Sequence, residues 1–227
     1  MNKEFTIVIQ GKVVQETVDF YSKNYLDTDV IICTWHSLDV DFSPLFSAPN
    51  IRLFENDMPD DHGFQNINLQ IYSTLAGLNN VKTKYCIKMR GDEYYSNLEY
   101  IYDEVKKEKD KIHTSPIWFR HCSYIPYHIS DHLICGQTNN LKLMFNKAMI
   151  KREHYAEVTL TKAYLSCLEN EEELTDDNCK LYMKKYFRVL DLKKMEPYRL
   201  TTNFFNVVFY NNFIPEGGQS ISNIEMI

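Results

Sequence analysis

The run Lys84-Tyr85-Cys86-Ile87-Lys88-Met89-Arg90-Gly91-Asp92-Glu93 (KYCIKMRGDE) decides how the chain is read. Lys84 to Met89 is a short strand candidate, and it runs directly into Arg90-Gly91-Asp92-Glu93. In an open α/β sheet, ligands bind at the carboxyl ends of the strands, where loops can be shaped while the strands stay rigid. A charged cluster at such an edge is therefore the first candidate site. Upstream, Phe5 to Gln10 (FTIVIQ) is a β-branched run that ends in Gln10-Gly11-Lys12, before a helical pattern from Gln15 to Tyr25. Asp29 to Trp35 (DVIICTW) and Asn50 to Glu55 (NIRLFE) repeat the strand pattern. Continuous apolar runs of this kind belong to strands buried on both faces. Phe64 to Leu78 carries Ile67, Ile71, Leu75 and Leu78 at helical spacing, with Gly77 and Asn79-Asn80 as a stop. The pattern predicts an α/β fold with βαβ winding: a Rossmann-like, mostly parallel sheet flanked by helices.

Beyond Glu93 the pattern predicts a helix over Leu98 to Lys107 and strands at Ile117 to Cys122 (IWFRHC) and Ser130 to Gly136. Helices follow at Asn140 to Met149, Ala156 to Leu168 and Asp176 to Lys185, and Glu196 to Phe213 reads as a terminal strand or cap. One domain over residues 1–227 is expected, with a core of about 1–170 and a partly helical C-terminal cap of about 171–227. With 44% hydrophobic and 25% charged residues the chain can build a proper core. Its net charge of -6 argues against a general nucleic-acid binder. No run reaches the roughly 18 apolar residues of a membrane span, and the N-terminal apolar run is short for a secretory signal. No integral membrane segment and a cytoplasmic location, with peripheral membrane association compatible, are the expectation. Six cysteines without a C-x-x-C pair read as buried thiols rather than zinc ligands or a disulfide framework.

A carboxylate just past a buried strand can hold Mg²⁺ or Mn²⁺ through one or two ligands, leaving the other positions to water and a diphosphate. Asp92 is the first candidate ligand and Glu93 the second; the same residues also fit a solvated turn in which Arg90 and Asp92 pair. In His128-Ile129-Ser130-Asp131-His132, the i, i+4 histidines would share a face only in a helix, and here they precede a strand. Asp131 is the stronger candidate, as a base for an acceptor hydroxyl, with a turn or N-cap role as the alternative. Glu157, at the start of a helix, is a second candidate carboxylate, although the helix dipole alone accounts for an acidic residue there. Asn68 and Gln70 lie where a helix N-terminus could meet a phosphate or base, and capping explains the neighbouring Asn66 equally well. Trp35, at a strand end, could stack on a base or simply close the core.

Taken together, FTIVIQGKV, DVIICTW, NINLQIYSTLAGLNNVKTKYCIKMRGDE and PYHISDHLICG resemble the WavE-type lipopolysaccharide synthesis family, in blocks that cover most of residues 5–165. The resemblance implies a GT-A-like glycosyltransferase domain that moves a sugar from a nucleotide sugar to a glycan or lipid-linked glycan acceptor, with Mn²⁺ or Mg²⁺ at an acidic motif after a central strand. Arg90, Gly91 and Asp92 fall where that motif is expected. On this reading Gln10, Gly11 and Trp35 cradle the nucleotide, Asn68 and Gln70 reach its ribose or phosphates, Asp92 holds the metal and Asp131 is the base. Two positions depart from the pattern. Arg90 stands at the first acidic position of the usual Asp-x-Asp and could itself meet the diphosphate, and Leu69 stands where family members tend to carry Arg. A nucleotidyltransferase would need a better phosphate loop than Gln10-Gly11-Lys12. A non-catalytic nucleotide or glycan-binding protein of the same fold is the alternative from outside enzymology.

Overall fold

A computed structural model of the chain describes residues 2–36, 39–149 and 155–199. The elements in order are β1 (Asn2–Gln10), α1 (Gln15–Asn24), β2 (Thr28–Trp35), β3 (Ile51–Asn56), α2 (Ile67–Leu78), β4 (Tyr85–Arg90), β5 (Glu93–Tyr95) and α3 (Leu98–Lys107). They are followed by β6 (Ile112–Thr114), β7 (Leu133–Gln137), α4 (Thr138–Ala148), α5 (Ala156–Leu165), α6 (Cys179–Tyr186), β8 (Phe187–Val189), α7 (Leu192–Met195) and β9 (Pro197–Arg199). Seven strands form one sheet in the order β3-β2-β1-β4-β7-β6-β8. The pairs within β3-β2-β1-β4 are parallel, β7 runs antiparallel to both its neighbours, and β8 is parallel to β6. This is the expected mostly parallel, helix-flanked, Rossmann-like architecture.

The winding fixes where a ligand can enter. From β1 the chain steps outward to β2 and β3, then returns to place β4 on the other side of β1. The chain leaves β1 toward β2 and leaves β4 toward β6, in opposite directions along the sheet, so these two adjacent strand ends form the switch point at which open α/β sheets bind ligands. Gln10 and Arg90 are register partners at that point.

Strand alternation divides the core into two layers. Val8, Ile31, Cys33, Cys86 and Ile134 face the layer of α2, α4 and α5, whereas Ile7, Ile9, Val30, Ile32, Ile87 and Met89 face that of α1 and α3. Cys33, Cys86, Cys135 and Cys179 are buried thiols as expected, whereas Cys122 is half-buried and Cys167 exposed. Where α2 crosses β1, Gly77 leaves no room: an added Cβ would lie 2.4 Å from Val8 Cγ1. Gly77→Ala is expected to cost about 1–3 kcal/mol through overpacking, read as a lower urea midpoint with an unchanged slope.

Several elements differ from expectation. The strand predicted at Ile117 to Cys122 lies earlier, at Ile112–Thr114, and the aromatic stretch is an irregular segment instead. Pro116 cannot donate to a ladder, and Trp118 turns to a left-handed φ of 57°, so the pairing stops at Ser115. Helix α2 begins at Ile67, preceded by a 3₁₀ turn with left-handed Gln65 (φ 50°) and Asn66 (φ 62°). Asn66 makes no side-chain capping bond there. The Arg-Gly-Asp-Glu turn feeds the short β5, which pairs with β9, and β8 extends the main sheet from within the expected cap. The terminal strand expected over Glu196 to Phe213 begins as β9, and its remainder lies outside the described residues.

Candidate active site

A cavity of about 630 Å³ opens at the carboxyl edge of the parallel strands, within the size range of small-molecule sites. Gln10, Gly11, Trp35, Gln70, Arg90, Asp131 and Glu157 all line it, so the structure gathers residues spread over most of the sequence. Asn68, Asp92 and Glu93 do not line it. Lys12, Trp118 and Arg120, which carry no expectation from sequence, do. Of the five described non-glycine residues with positive φ, Gln65, Asn66 and Trp118 are on the cavity wall and Tyr127 adjoins wall residue His128. Such conformations cost about 1–3 kcal/mol each and concentrate where function holds them.

The switch-point side is built from backbone turns and cations. Gly11 adopts a left-handed φ of 83° and donates its N–H to the Cys33 carbonyl, which closes the end of β1 against β2. The Gly91 N–H donates to the Gln10 carbonyl, and a Cβ on Gly91 would meet the Lys12 carbonyl at 2.7 Å. Only glycine lets the two strand ends approach so closely. Gln10 accepts a bond from the Ser73 hydroxyl (3.0 Å), which fixes its side chain against α2.

Arg90 is the pivot of the charged cluster. Its Nε and Nη2 donate to the two oxygens of Asp92, at 2.9 Å each, and Nε lies 3.7 Å from Glu93. Burial opposes its charge, but the bonds and charge of Asp92 outweigh burial and hold it fully protonated. Glu93 is buried: one oxygen accepts from His132 Nδ1 at 2.5 Å and the other from the Tyr95 hydroxyl at 3.2 Å. Arg90 and Asp92 thus pair, as in one of the two sequence-based readings, but the turn is not the solvated one expected: Gly91 and Glu93 are buried and Arg90 and Asp92 half-buried. Each carboxylate oxygen of Asp92 and Glu93, the expected metal ligands, receives a donor, and neither residue lines the cavity. Among the described residues no group of three or more His, Cys, Asp or Glu side chains is placed to hold a metal ion. That statement includes His128 and His132.

Asn68, expected at the nucleotide, is buried with its amide donating to the Asp61 carbonyl, where it pins the loop ahead of α2. Gln70 lines the cavity, but its amide donates to Asp131 Oδ2 at 3.0 Å, so it positions that carboxylate. Beneath them the buried Lys88 ammonium, pushed down to about 8 by burial, donates to the Asp131 carbonyl oxygen. A lysine within an apolar strand was the available signal for such a partner.

The two carboxylates on the wall are tuned apart. Burial alone would raise the Asp131 carboxyl, but the charges of His132, Lys88 and Arg90 outweigh it and hold Asp131 below the usual carboxylate range. Burial, with help from the charge of Asp131, pushes Glu157 up to about 7. Two titratable groups driven apart by their surroundings are a mark of divided acid and base roles. Glu157 lies 3.8 Å from His128, itself pushed down to about 4 by burial.

Comparison with known proteins agrees with this architecture. The chain superposes on residues 1–349 of TarS from S. aureus with a TM-score of 0.51 at 12% identity, covering 89% of this chain and 62% of that one. It thus spans less than two thirds of that structure. A UDP complex of the same S. aureus fragment aligns with a TM-score of 0.45 at 10% identity over 70% of this chain and 55% of that one. A putative glucose-1-phosphate thymidylyltransferase from Bacillus anthracis aligns with 0.44 at 10% identity over 82% and 86%. A sequence search of curated proteins returns no match. No helix of the described residues is long and apolar enough to cross a membrane. The family model for WavE lipopolysaccharide synthesis matches residues 6–221, almost the whole chain, and the protein belongs to that family.

Proposed function

We propose that this protein is a glycosyltransferase that moves a sugar from a nucleotide-sugar donor to a glycan acceptor. The observation that carries the reading is the switch point itself. The Gln10-Gly11 turn and the Arg90 cation meet there, and they open onto the same cavity as the unequal carboxylates Asp131 and Glu157. The donor's nucleotide lies along Gln10, Gly11 and Trp35, and its diphosphate is received by Arg90 and Lys12. A guanidinium suits a phosphate because its donors form a rigid fork.

In the transfer step the acceptor hydroxyl attacks the anomeric carbon as the bond from that carbon to the diphosphate oxygen breaks. The electron pair leaves with the diphosphate, where the Arg90 and Lys12 charges stabilise it. Glu157 takes the hydroxyl proton, since a base poised near neutral pH does this best. Asp131, held ionised, sets its negative charge beside the sugar ring as positive charge develops on it. Sequence alone favoured Asp131 as the base; the opposed tuning of the pair exchanges the two roles.

The test is a thermal-shift screen against nucleoside diphosphates and nucleotide sugars, with Mn²⁺, with Mg²⁺ and with chelator. A ligand at about 100 times its Kd adds about 2.7 kcal/mol to the folded state. For a chain of this size that is a rise in Tm of roughly 5–10 °C. One nucleotide family should give such a shift, and the shift should survive chelator. No shift with any nucleotide overturns the donor site, whereas a shift that needs metal restores Asp92 as a candidate ligand.

A further inference from the structure

Part of the cavity wall comes from the segment joining β6 to β7 and from the start of α5. Of its side chains, Trp118, Arg120 and His128 have no part in the transfer step. Among the described arginine side chains, Arg52, Arg90 and Arg188 each reach a carboxylate, at 2.8, 2.9 and 3.3 Å. Arg120 forms no ion pair with any carboxylate among the described residues. Its guanidinium lies over the Trp118 ring, 4.4 Å from the centroid, and its Nη1 is buried without a hydrogen-bond partner among the described residues. Nδ1 of His128, also on this wall, is in the same condition. The backbone holds the two together, because the Arg120 N–H donates to the His128 carbonyl at 3.1 Å.

An orphaned buried donor opposes folding, and the left-handed backbone at Trp118 adds to that cost. A fold that bears both at one wall keeps donors ready for something that arrives later. The mouth beside them is aromatic. Phe64 and Tyr155, 62% and 38% exposed, meet edge to face at 6.1 Å, and the Tyr155 ring lies 5.9 Å from that of His128. Aromatic faces beside unsatisfied polar groups suit a ligand with an apolar face and a polar edge, which describes a sugar ring. A guanidinium lacking a carboxylate adds a requirement for negative charge on that ligand.

We propose that the wall of Trp118, Arg120 and His128 is the acceptor subsite, and that the acceptor is an anionic saccharide whose carboxylate or phosphate group is received by Arg120. The words donor and acceptor rest on the glycosyltransferase reading; the anionic-saccharide site does not. With the saccharide on this wall, its hydroxyl faces Glu157, the neighbour of His128. Arg120 and Arg90 open onto the same cavity, and nucleoside diphosphate binding in the Arg120 variants separates the two sites.

The test is an NMR titration of the full chain with glucose, glucuronate, glucose 6-phosphate and inorganic phosphate, run beside the nucleoside diphosphate measurement. Glucuronate or glucose 6-phosphate should bind at least about tenfold more tightly than glucose and than inorganic phosphate. Which of the two binds identifies the acidic group. Arg120→Gln should abolish the preference and Arg120→Lys should keep part of it. Trp118→Gly, which also relieves the left-handed strain, should weaken every saccharide about tenfold while leaving Tm within about 2 °C. Nucleoside diphosphate affinity should change by less than about threefold in all three variants. Equal binding of glucose and the anionic sugars, a preference that survives Arg120→Gln, or inorganic phosphate binding as tightly as glucose 6-phosphate overturns the proposal. So does loss of nucleoside diphosphate binding in Arg120→Gln, which would assign Arg120 to the donor. If the wild type shows the anionic preference but binds no nucleotide, the glycosyltransferase reading fails and this site stands.

Discussion

Arg90→Gln is expected to weaken nucleoside diphosphate binding by about 100-fold and to lower folding stability by about 2–4 kcal/mol. Both effects come from one guanidinium. In the folded chain it makes two 2.9 Å bonds to Asp92 and lies 3.7 Å from the buried Glu93, so its loss leaves two carboxylates beside each other without their shared cation. Breaking an ion pair by removing one partner is costly because the other charge stays behind. The donor effect is separate, since Arg90 lines the cavity at the switch point and presents charge where a diphosphate would lie. Calorimetric titration and urea unfolding read the two effects independently. Asp92→Asn is the contrasting variant: it should leave nucleotide affinity within about threefold of wild type, because on this reading Asp92 orients Arg90 and holds no metal. If Asp92→Asn abolishes binding and Arg90→Gln spares it, the diphosphate is held through a cation at Asp92 and the role given to Arg90 is wrong.

The central sheet was legible because its strands are buried on both faces and so read as unbroken apolar runs. FTIVIQ, DVIICTW and KYCIKM mark β1, β2 and β4 within a few residues of their observed ends. The short strands were not legible, for a physical reason. β5, β6 and β8 have three residues each, too few for alternation to show, and tertiary pairing alone makes them strands. IWFRHC has the composition of a strand, yet a proline before it and a left-handed tryptophan within it deny it a ladder.

The candidate site followed the same division. Gln10, Gly11 and Arg90 could be placed at the carboxyl edge of the sheet from sequence because each ends a recognisable strand, and a strand end is a place defined by sequence. The direction of Glu93 is not legible in sequence, since adjacency to Asp92 says nothing about it: β5 begins there and turns the side chain under His132, away from the cavity. The same holds for Asn68, whose amide turns to the Asp61 carbonyl. Arg120 and Trp118 had no local signal. Their importance arises when the segment after β6 closes on the start of α5, and that closure depends on β7 standing beside β4. The tuning of Asp131 against Glu157 is equally tertiary, as Lys88 and Arg90 come from β4, while Glu157 belongs to α5.

Glu157→Gln is expected to lower the transfer rate by about 10²–10³-fold and, at the same time, to make the protein more stable at alkaline pH. The kinetic part follows from the base role. Only ionised Glu157 can accept the hydroxyl proton, so kcat/KM should rise with pH along a limb centred near 7, and the variant should lose that limb. The stability part follows from linkage. Burial lifts the carboxyl from an unfolded value of 4.5 to about 7, so below pH 4.5 both states hold the proton. Between 4.5 and 7 the unfolded chain releases its proton first, and stability falls as pH rises. Above pH 7 the folded protein carries a buried charge that costs up to about 3 kcal/mol. Glutamine never ionises, so Glu157→Gln should be more stable than wild type at pH 8 and nearly equal to it at pH 4.5, as urea unfolding at the two values would measure. A residue with a purely structural role would lose stability at both. Asp131→Asn separates the two carboxylates: it should slow transfer yet keep the limb, moved downward because the charge that helps raise Glu157 has gone. If Asp131→Asn abolishes the limb and Glu157→Gln preserves it, Asp131 is the base and the exchange of roles argued from their opposed tuning is wrong.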